Sequence, residues 1–196
     1  MTALLVLLEA PEAGVVKPRL AGTVGPLQAT RLYRVLVARI LAAAFEAGFT
    51  PTIWFRPLAA RAEMLQWLGP TADLRPQASG PLGTRVGAAV AAVGLAAGWL
   101  AIVRDCAGVH ADLLRDAAEQ LLDARVVIGP ASDGGIWLVG ARGLMPASVR
   151  NLPDAGPGSL AALRASLGRE RIDWRELPVL AAVESAADAR AARLLT

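Results

Sequence analysis

Three stretches of this chain carry residue types able to do chemistry. The first reads Glu9, Ala10, Pro11, Glu12, Ala13, Gly14, Val15, Val16, Lys17, Pro18, Arg19, Leu20 and ends in two cations one residue apart. An arginine fork grips phosphate oxygens in pairs, a lysine supplies a point charge, and a glycine such as Gly14 lets backbone come close to a diphosphate. The same residues also suit a solvated basic loop, because the spacing is neither a Walker loop nor a dinucleotide fingerprint. The second is Asp105, which follows the apolar run Trp99 to Val103 and Arg104. A carboxylate at the end of a central strand is placed to hold magnesium, a hard cation that takes oxygen ligands and bridges to phosphates. It can also serve as a helix cap or as a partner for Arg104. The third runs from Ile128 to Gly140, two apolar segments enclosing Gly129, Pro130, Ala131, Ser132, Asp133, Gly134 and Gly135. Paired glycines allow positive φ and close approach of backbone N–H groups, so this turn can receive a sugar or phosphate while Asp133 accepts hydroxyl hydrogen bonds. A plain tight connection, with Asp133 as turn former, is the other reading.

Elements able to position these groups are legible between them. Strand-length apolar runs lie at Ala3 to Leu8, Thr52 to Phe55, Trp99 to Val103, Arg125 to Ile128 and Ile136 to Val139. Amphipathic helices separate them. From Pro26 to Ala47, Leu32, Val35, Leu36, Ile40 and Ala43 share a face, and from Ala111 to Leu122, Leu113, Leu114, Ala117 and Leu121 do so. Continuous apolar strands are buried on both faces, and interleaved helices imply crossovers and a mostly parallel sheet. The expected fold class is a three-layer α-β-α sandwich in one domain spanning 1–196. Gly/Pro-rich loops are expected at Pro11 to Gly25, Ala78 to Gly83, Gly129 to Gly135 and Leu152 to Gly158. In open sheets of this kind ligands bind outside the carboxyl ends of the strands, where these loops fall.

Composition narrows the partners. The net charge of +3 and pI of 9.9 come from scattered arginines with no block that would track a nucleic-acid backbone. A single cysteine, Cys106, excludes an intramolecular disulfide, and with one histidine a Cys/His zinc site is excluded too. A reducing cytoplasm fits best. The N-terminal run TALLVLL lacks a basic flank and is stopped by Glu9 and Pro11, so it is expected as a buried first strand rather than a secretory signal. Val86 to Val103 carries no charge apart from its flanking arginines, yet its Ala/Gly content and the turn-like Ala97, Gly98, Trp99 step split it into a helix and a strand, not a membrane span. The apolar excess, 55% of residues, would tolerate a homodimer face. His110 is expected as a helix cap, Cys106 as a small buried hydrophobe, and the tryptophans as core, with Trp137 near enough to the glycine turn to stack on a base or sugar.

These motifs together resemble the bacterial DUF2064 proteins, the radical-SAM/selenodomain-associated glycosyltransferases of the GT-A-like nucleotide-diphospho-sugar transferase superfamily. The chain is similar to that family's AxAPxPGxVKTRL opening at Ala10, Pro11, Gly14, Val16, Lys17, Arg19 and Leu20. It is similar to its LGxR segment at Gly80, Leu82, Gly83 and Arg85, to its DCPGL at Asp105, Cys106 and Gly108, and to its GPAxDGGYYLIGL from Gly129 to Gly140. The resemblance implies a GT-A-like fold and a nucleotide-sugar donor. It also implies phosphate contacts from Lys17 and Arg19 with Gly14, Gly83, Arg85, Gly134 and Gly135 around the nucleotide, and an acceptor side with Asp133 as the catalytic residue. A magnesium or manganese ion would sit at Asp105, with Glu184 as second ligand where the family has DVDT and this chain has Ala182, Val183, Glu184, Ser185.

Departures from the family pattern cluster at the same places. Glu9 stands where a lysine is usual and would repel a diphosphate; Pro18 replaces threonine; Arg104 replaces a small residue; Ala107 and Val109 soften DCPGL; Asp154, Ala155 and Gly156 stand for WST. Three functions therefore remain open: sugar transfer from a nucleotide donor to an acceptor the sequence does not name, nucleotidyl transfer from an NTP, and a degenerate, non-catalytic nucleotide-binding or interaction protein.

Overall fold

The computed structural model describes residues 2–94 and 98–195. Its strands are β1 (Thr2–Glu9), β2 (Thr52–Arg56), β3 (Leu74–Pro76), β4 (Gly98–Ile102), β5 (Cys106–Ala107), β6 (Val126–Pro130), β7 (Ile136–Arg142), β8 (Trp174–Glu176) and β9 (Ala181–Ala182). Its helices are α1 (Pro18–Val24), α2 (Pro26–Glu46), α3 (Arg61–Leu68), α4 (Leu82–Val93), α5 (Ala111–Asp123), α6 (Ala147–Arg150), α7 (Ser159–Glu170) and α8 (Ala186–Ala191). Seven strands form one sheet in the order β3-β2-β1-β4-β7-β6-β8, and β5 pairs with β9 in a separate two-stranded ribbon.

Alternation along the buried strands builds the three layers. On β1, Leu4, Val6 and Leu8 pack with Val37 and Ile40 of α2, Met64 of α3 and Leu114 of α5. Leu5 and Leu7 face the other way, toward Leu82, Val86 and Ala89 of α4, Val149 of α6 and Leu163 and Leu167 of α7. At roughly 25 cal/mol per Å² of apolar area, such two-sided burial makes these central strands the main source of stability.

The sheet is parallel throughout except at β7, which runs antiparallel to both β4 and β6. A parallel partner needs a crossover of about a dozen residues or more, and the glycine turn from β6 to β7 is too short for one. Other differences from the sequence reading have local causes. Helix α1 begins inside the expected Pro11 to Gly25 loop because Pro18 stands at its first position, where a missing N–H costs nothing. Val35, expected inward, is 41% exposed on α2, since the buried stripe follows Leu32, Leu36 and Ile40. The Val86 to Val103 run divides into α4 and β4, with Gly98 opening the strand; Ala97 lies outside the described residues. Among the described residues no helix is long and apolar enough to cross a membrane.

Candidate functional site

Asp105 and Glu184 are delivered to one another by the short ribbon. Cys106 of β5 pairs with Ala182 of β9, so the residue before the first strand and the one two beyond the pair on the second share an edge. Glu184 is then fixed from behind, because its N–H donates to Asp188 Oδ2 at 3.0 Å. Asp188 in turn joins a reciprocal cap with Ser185 at the start of α8. Between the two acids stands Lys17. Its Nζ lies 3.0 Å from Asp105 Oδ2 and 3.7 Å from Glu184 Oε1. The first is an ion contact without hydrogen-bond alignment, which leaves the buried Asp105 Oδ2 with no hydrogen-bond partner. Lys17 occupies the left-handed region at φ 52° as the N-cap of α1, a conformation costing about 1–3 kcal/mol that persists where its surroundings fix it. Burial raises the Asp105 pKa above the usual carboxylate range, and Lys17 opposes that shift only in part.

Arg104 binds the other side of the cluster. Its Nη1 and Nη2 donate to Asp133 Oδ1 and Oδ2 at 2.8 and 2.7 Å, and Nη2 also donates to Glu184 Oε1 at 2.6 Å. Burial alone would lower the arginine pKa, but its hydrogen bonds to Asp133 and Glu184 raise it instead. The fork outweighs desolvation at Asp133 as well and holds that carboxyl below the usual range. An acid so stabilised as its anion is a poor general base. Asp133 is also absent from the cleft wall, which Arg104 lines in front of it. The carboxylate expected on the acceptor side therefore serves here to hold Arg104.

The cleft itself measures about 290 Å³ beyond the carboxyl ends of β1, β2 and β4. At its far end Gln77 ties the strand ends together, donating from Nε2 to the carbonyls of Leu8 and Trp54 at 2.9 Å each. Its Oε1 accepts from Arg85 Nη1 at 2.6 Å, and Arg85 Nε is buried with no partner. Burial and the neighbouring Arg56 lower the Arg85 pKa. Arg56 pairs with Glu9 across the β1–β2 register. Tyr33 fixes that turn by donating its hydroxyl to Glu9 O at 2.9 Å and accepting from Glu9 N at 3.1 Å. Four cations, Lys17, Arg56, Arg85 and Arg104, line one cavity with four acids, Glu9, Asp105, Asp154 and Glu184.

Several residues named from the sequence are elsewhere or otherwise engaged. Arg19 and Gly14 are exposed and lie off the cleft wall. Gly83 is a packing residue of α4: a Cβ there would meet Arg150 O at 2.2 Å. Gly134 and Gly135 do not offer their N–H groups to a ligand, since these donate to Ala131 O and to Asp133 Oδ1 within the turn. Trp137 is not a stacking platform, being fully buried against Gly129. His110 caps α5, accepting from Leu113 N at 3.3 Å, and burial pushes the Cys106 thiol up to about 12, so it is an inert core group. Gln77 and Arg56 were missed by sequence reading. Arg56 could have been found, because it follows the apolar run of β2 at the edge where ligands bind; Gln77 carried no such signal.

A divalent ion does not fit readily among these side chains. Among the described residues no group of three or more metal-ligating side chains is placed to hold one. Asp105 and Glu184 could act as a pair with substrate phosphates, the manner in which magnesium is often held. Both, however, already face Lys17, and Glu184 faces Arg104. Like unit charges about 4 Å apart repel by about 4 kcal/mol at an effective dielectric near 20, and a divalent ion doubles that, so it would have to displace these cations rather than sit beside them.

Solved structures that share this fold include a provisionally named nucleotide-diphospho-sugar transferase and a nucleotidyl transferase. More narrowly, the chain belongs to the DUF2064 family, described as uncharacterized proteins conserved in bacteria, whose family model matches residues 39–153. A Desulfovibrio desulfuricans G20 protein provisionally named a nucleotide-diphospho-sugar transferase is similar at a TM-score of 0.85 and 25% identity, over 94% of this chain and 84% of its own. Rv0371c from Mycobacterium tuberculosis H37Rv, in complex with manganese, is similar at a TM-score of 0.61 and 18% identity, over 100% of this chain and 98% of its own. A CMP:2-keto-3-deoxy-manno-octonic acid synthetase complexed with CTP is similar at a TM-score of 0.58 and 12% identity, over 99% of each chain. The last two share the fold alone. No curated protein matches the sequence.

Proposed function

We propose that this protein is a transferase that binds a nucleotide-diphosphate donor in the cleft and moves its sugar to an acceptor, in the manner of a glycosyltransferase. Arg85 carries the reading. A guanidinium on the cleft wall, oriented by an amide that is itself tied to two strand ends, is a preorganised donor for an anion. Negative charge develops on the departing diphosphate, and Arg85 with Lys17 would offset it from fixed positions. Asp133, behind Arg104, sets the guanidinium on the acceptor side rather than taking a proton. A divalent cation at Asp105 and Glu184 belongs to a narrower version, supported by the manganese in the mycobacterial neighbour. That version requires Lys17 and Arg104 to leave those carboxylates.

The CTP-bound neighbour favours a second reading, nucleotidyl transfer, in which the α-phosphate is attacked and pyrophosphate leaves. Both readings predict stabilisation by nucleotides. A ligand at 100 times its dissociation constant adds about 2.7 kcal/mol, enough for a clear rise in Tm. UDP-, GDP-, CDP- and ADP-sugars and the four NTPs should therefore be screened by thermal unfolding, and any stabilising nucleotide assayed for release of nucleoside diphosphate against pyrophosphate. Diphosphate release supports sugar transfer and pyrophosphate release the second reading. Stabilisation without turnover leaves a non-catalytic binder, and the absence of any stabilisation removes the nucleotide from the cleft.

A further inference from the structure

We propose that the guanidinium of Arg104 is a built-in cation standing in the place of a divalent metal ion, so that the cleft takes the diphosphate portion of a nucleotide without metal. The inference rests on the nucleotide reading above and goes beyond it in assigning the charge that meets the phosphates.

Arg104 lies on the cleft wall and is held at three points. Its two Nη atoms engage both oxygens of Asp133 at 2.8 and 2.7 Å, and Nη2 engages Glu184 Oε1 at 2.6 Å. These are charge-assisted bonds, and the paired contact to Asp133 fixes the plane of the fork as well as its position. Glu184 Oε1 is simultaneously 3.7 Å from Lys17 Nζ, so this expected metal ligand already faces two cations.

The backbone makes room for this arrangement. A Cβ at Gly135 would stand 2.6 Å from Arg104 Nη1 and 2.5 Å from Ala155 O. Only a glycine leaves space for the guanidinium at that point, so the turn beside Asp133 is shaped around Arg104 rather than around a ligand. Arginine has five N–H donors, and three bonds to carboxylate oxygens leave two without a protein partner among the described residues. Arg104 is thus both anchored by two acids, Asp133 and Glu184, and still able to donate to a phosphate oxygen. A metal held by carboxylates and bridging to phosphates would have the same connectivity, with acids behind and substrate in front.

Two measurements test this, neither of which needs turnover. The first titrates manganese alone, followed by the loss of its free paramagnetic signal, into the wild type and into Arg104→Ala. The second measures binding of inorganic pyrophosphate and of UDP, GDP, CDP and ADP by calorimetry, in EDTA and then in manganese. The wild type should take up no manganese at submillimolar concentration and should bind its preferred diphosphate equally in both buffers. Arg104→Ala frees Asp133 and takes from Glu184 the nearer of its two cations, while Lys17 stays beside Asp105. The variant should gain manganese binding, lose about tenfold in diphosphate affinity in EDTA, and recover part of that loss when manganese is added. Arg104→Gln, which keeps a hydrogen-bonding side chain without the charge, stands in if the alanine variant does not fold.

Submillimolar manganese uptake by the wild type, or diphosphate binding that requires manganese, overturns the inference while leaving the nucleotide reading intact. Variants that gain no manganese and lose no affinity overturn it likewise. Should no diphosphate bind in either buffer, the nucleotide reading falls and this inference falls with it.

Discussion

At one end of the cleft Lys17 and Arg104 are closed onto carboxylates, 3.0 Å from Asp105 and 2.6 to 2.8 Å from Glu184 and Asp133. At the other end Arg85 keeps a buried Nε with no partner and is held by the amide of Gln77 at 2.6 Å. The two ends carry the same kind of charge under different constraint. A cation whose partners are acids holds the fold together where it stands, and removing it strands those acids. A cation oriented by a neutral amide retains its full attraction for an anion, and removing it strands little. The paired end should answer to mutation through stability as well as binding, the unpaired end through binding almost alone.

The comparison breaks most readily at Lys17. Lys17→Met keeps the length of the stem, which is 6% exposed, and removes the ammonium beside Asp105. Taking one partner from a buried pair typically costs about 3–5 kcal/mol, because the other charge is left without compensation. Urea unfolding should show a loss of that order at pH 7. Adding Asp105→Asn to the same chain should recover much of it, since the stranded charge is then gone. A single variant as stable as the wild type would mean that the paired end is not held by its charges.

Arg85→Ala sharpens the contrast from the other end. Gln77 keeps its bonds to Leu8 and Trp54, so the strand ends stay joined and stability should move by about 1 kcal/mol or less. Affinity for the nucleotide found by the thermal screen should fall by about ten- to a hundredfold, the worth of one or two charge-assisted hydrogen bonds. The reverse pattern, with stability lost and affinity kept, would make Arg85 a structural residue and withdraw the support it gives to the proposed function.

Much of this division was open to sequence reading at the level of elements and closed to it at the level of partners. The buried runs at Ala3 to Leu8, Trp99 to Val103 and Ile136 to Val139 announced their strands because two-sided burial leaves no polar residue in them. The edge strands β3 and β8, three residues each, and the two-residue ribbon of β5 and β9 left no periodic trace. That ribbon is what brings Glu184 to Asp105 across nearly half the chain, so their meeting could be suggested only by resemblance. Lys17 was legible as a cation after a glycine turn, whereas its closure onto two acids depends on α1 starting at Pro18 with Lys17 in the left-handed region. Asp133 and the paired glycines looked ligand-facing since glycine turns often are. What decided otherwise was Arg104, twenty-nine positions away, whose side chain claims both the carboxylate and the space beside Gly135.

The smallest expected effect separates the two acids within the paired end by the sign of their pH dependence. Asp133 titrates below the usual carboxylate range in the fold, because Arg104 and the Gly135 N–H stabilise its anion. The folded state then binds fewer protons than the unfolded one, so its contribution is present above the unfolded value of about 3.9 and is lost as pH falls through the lower, folded value. Asp105 is shifted upward by burial, with Lys17 opposing and Glu184 adding to the rise. Here the folded state binds more protons, and the contribution is present at low pH and lost as pH rises from about 4 through the higher, folded value. Urea midpoints of the wild type, Asp133→Asn and Asp105→Asn, measured from acid to neutral pH in EDTA, should therefore diverge in opposite directions. The stability gap between wild type and Asp133→Asn should shrink on acidification below about pH 4, while Asp105→Asn should gain on the wild type as pH rises above it. Parallel curves for the two variants would mean that Lys17 and Arg104 hold their acids alike, and the distinction between a buried ion contact and a fixed fork would have no thermodynamic content.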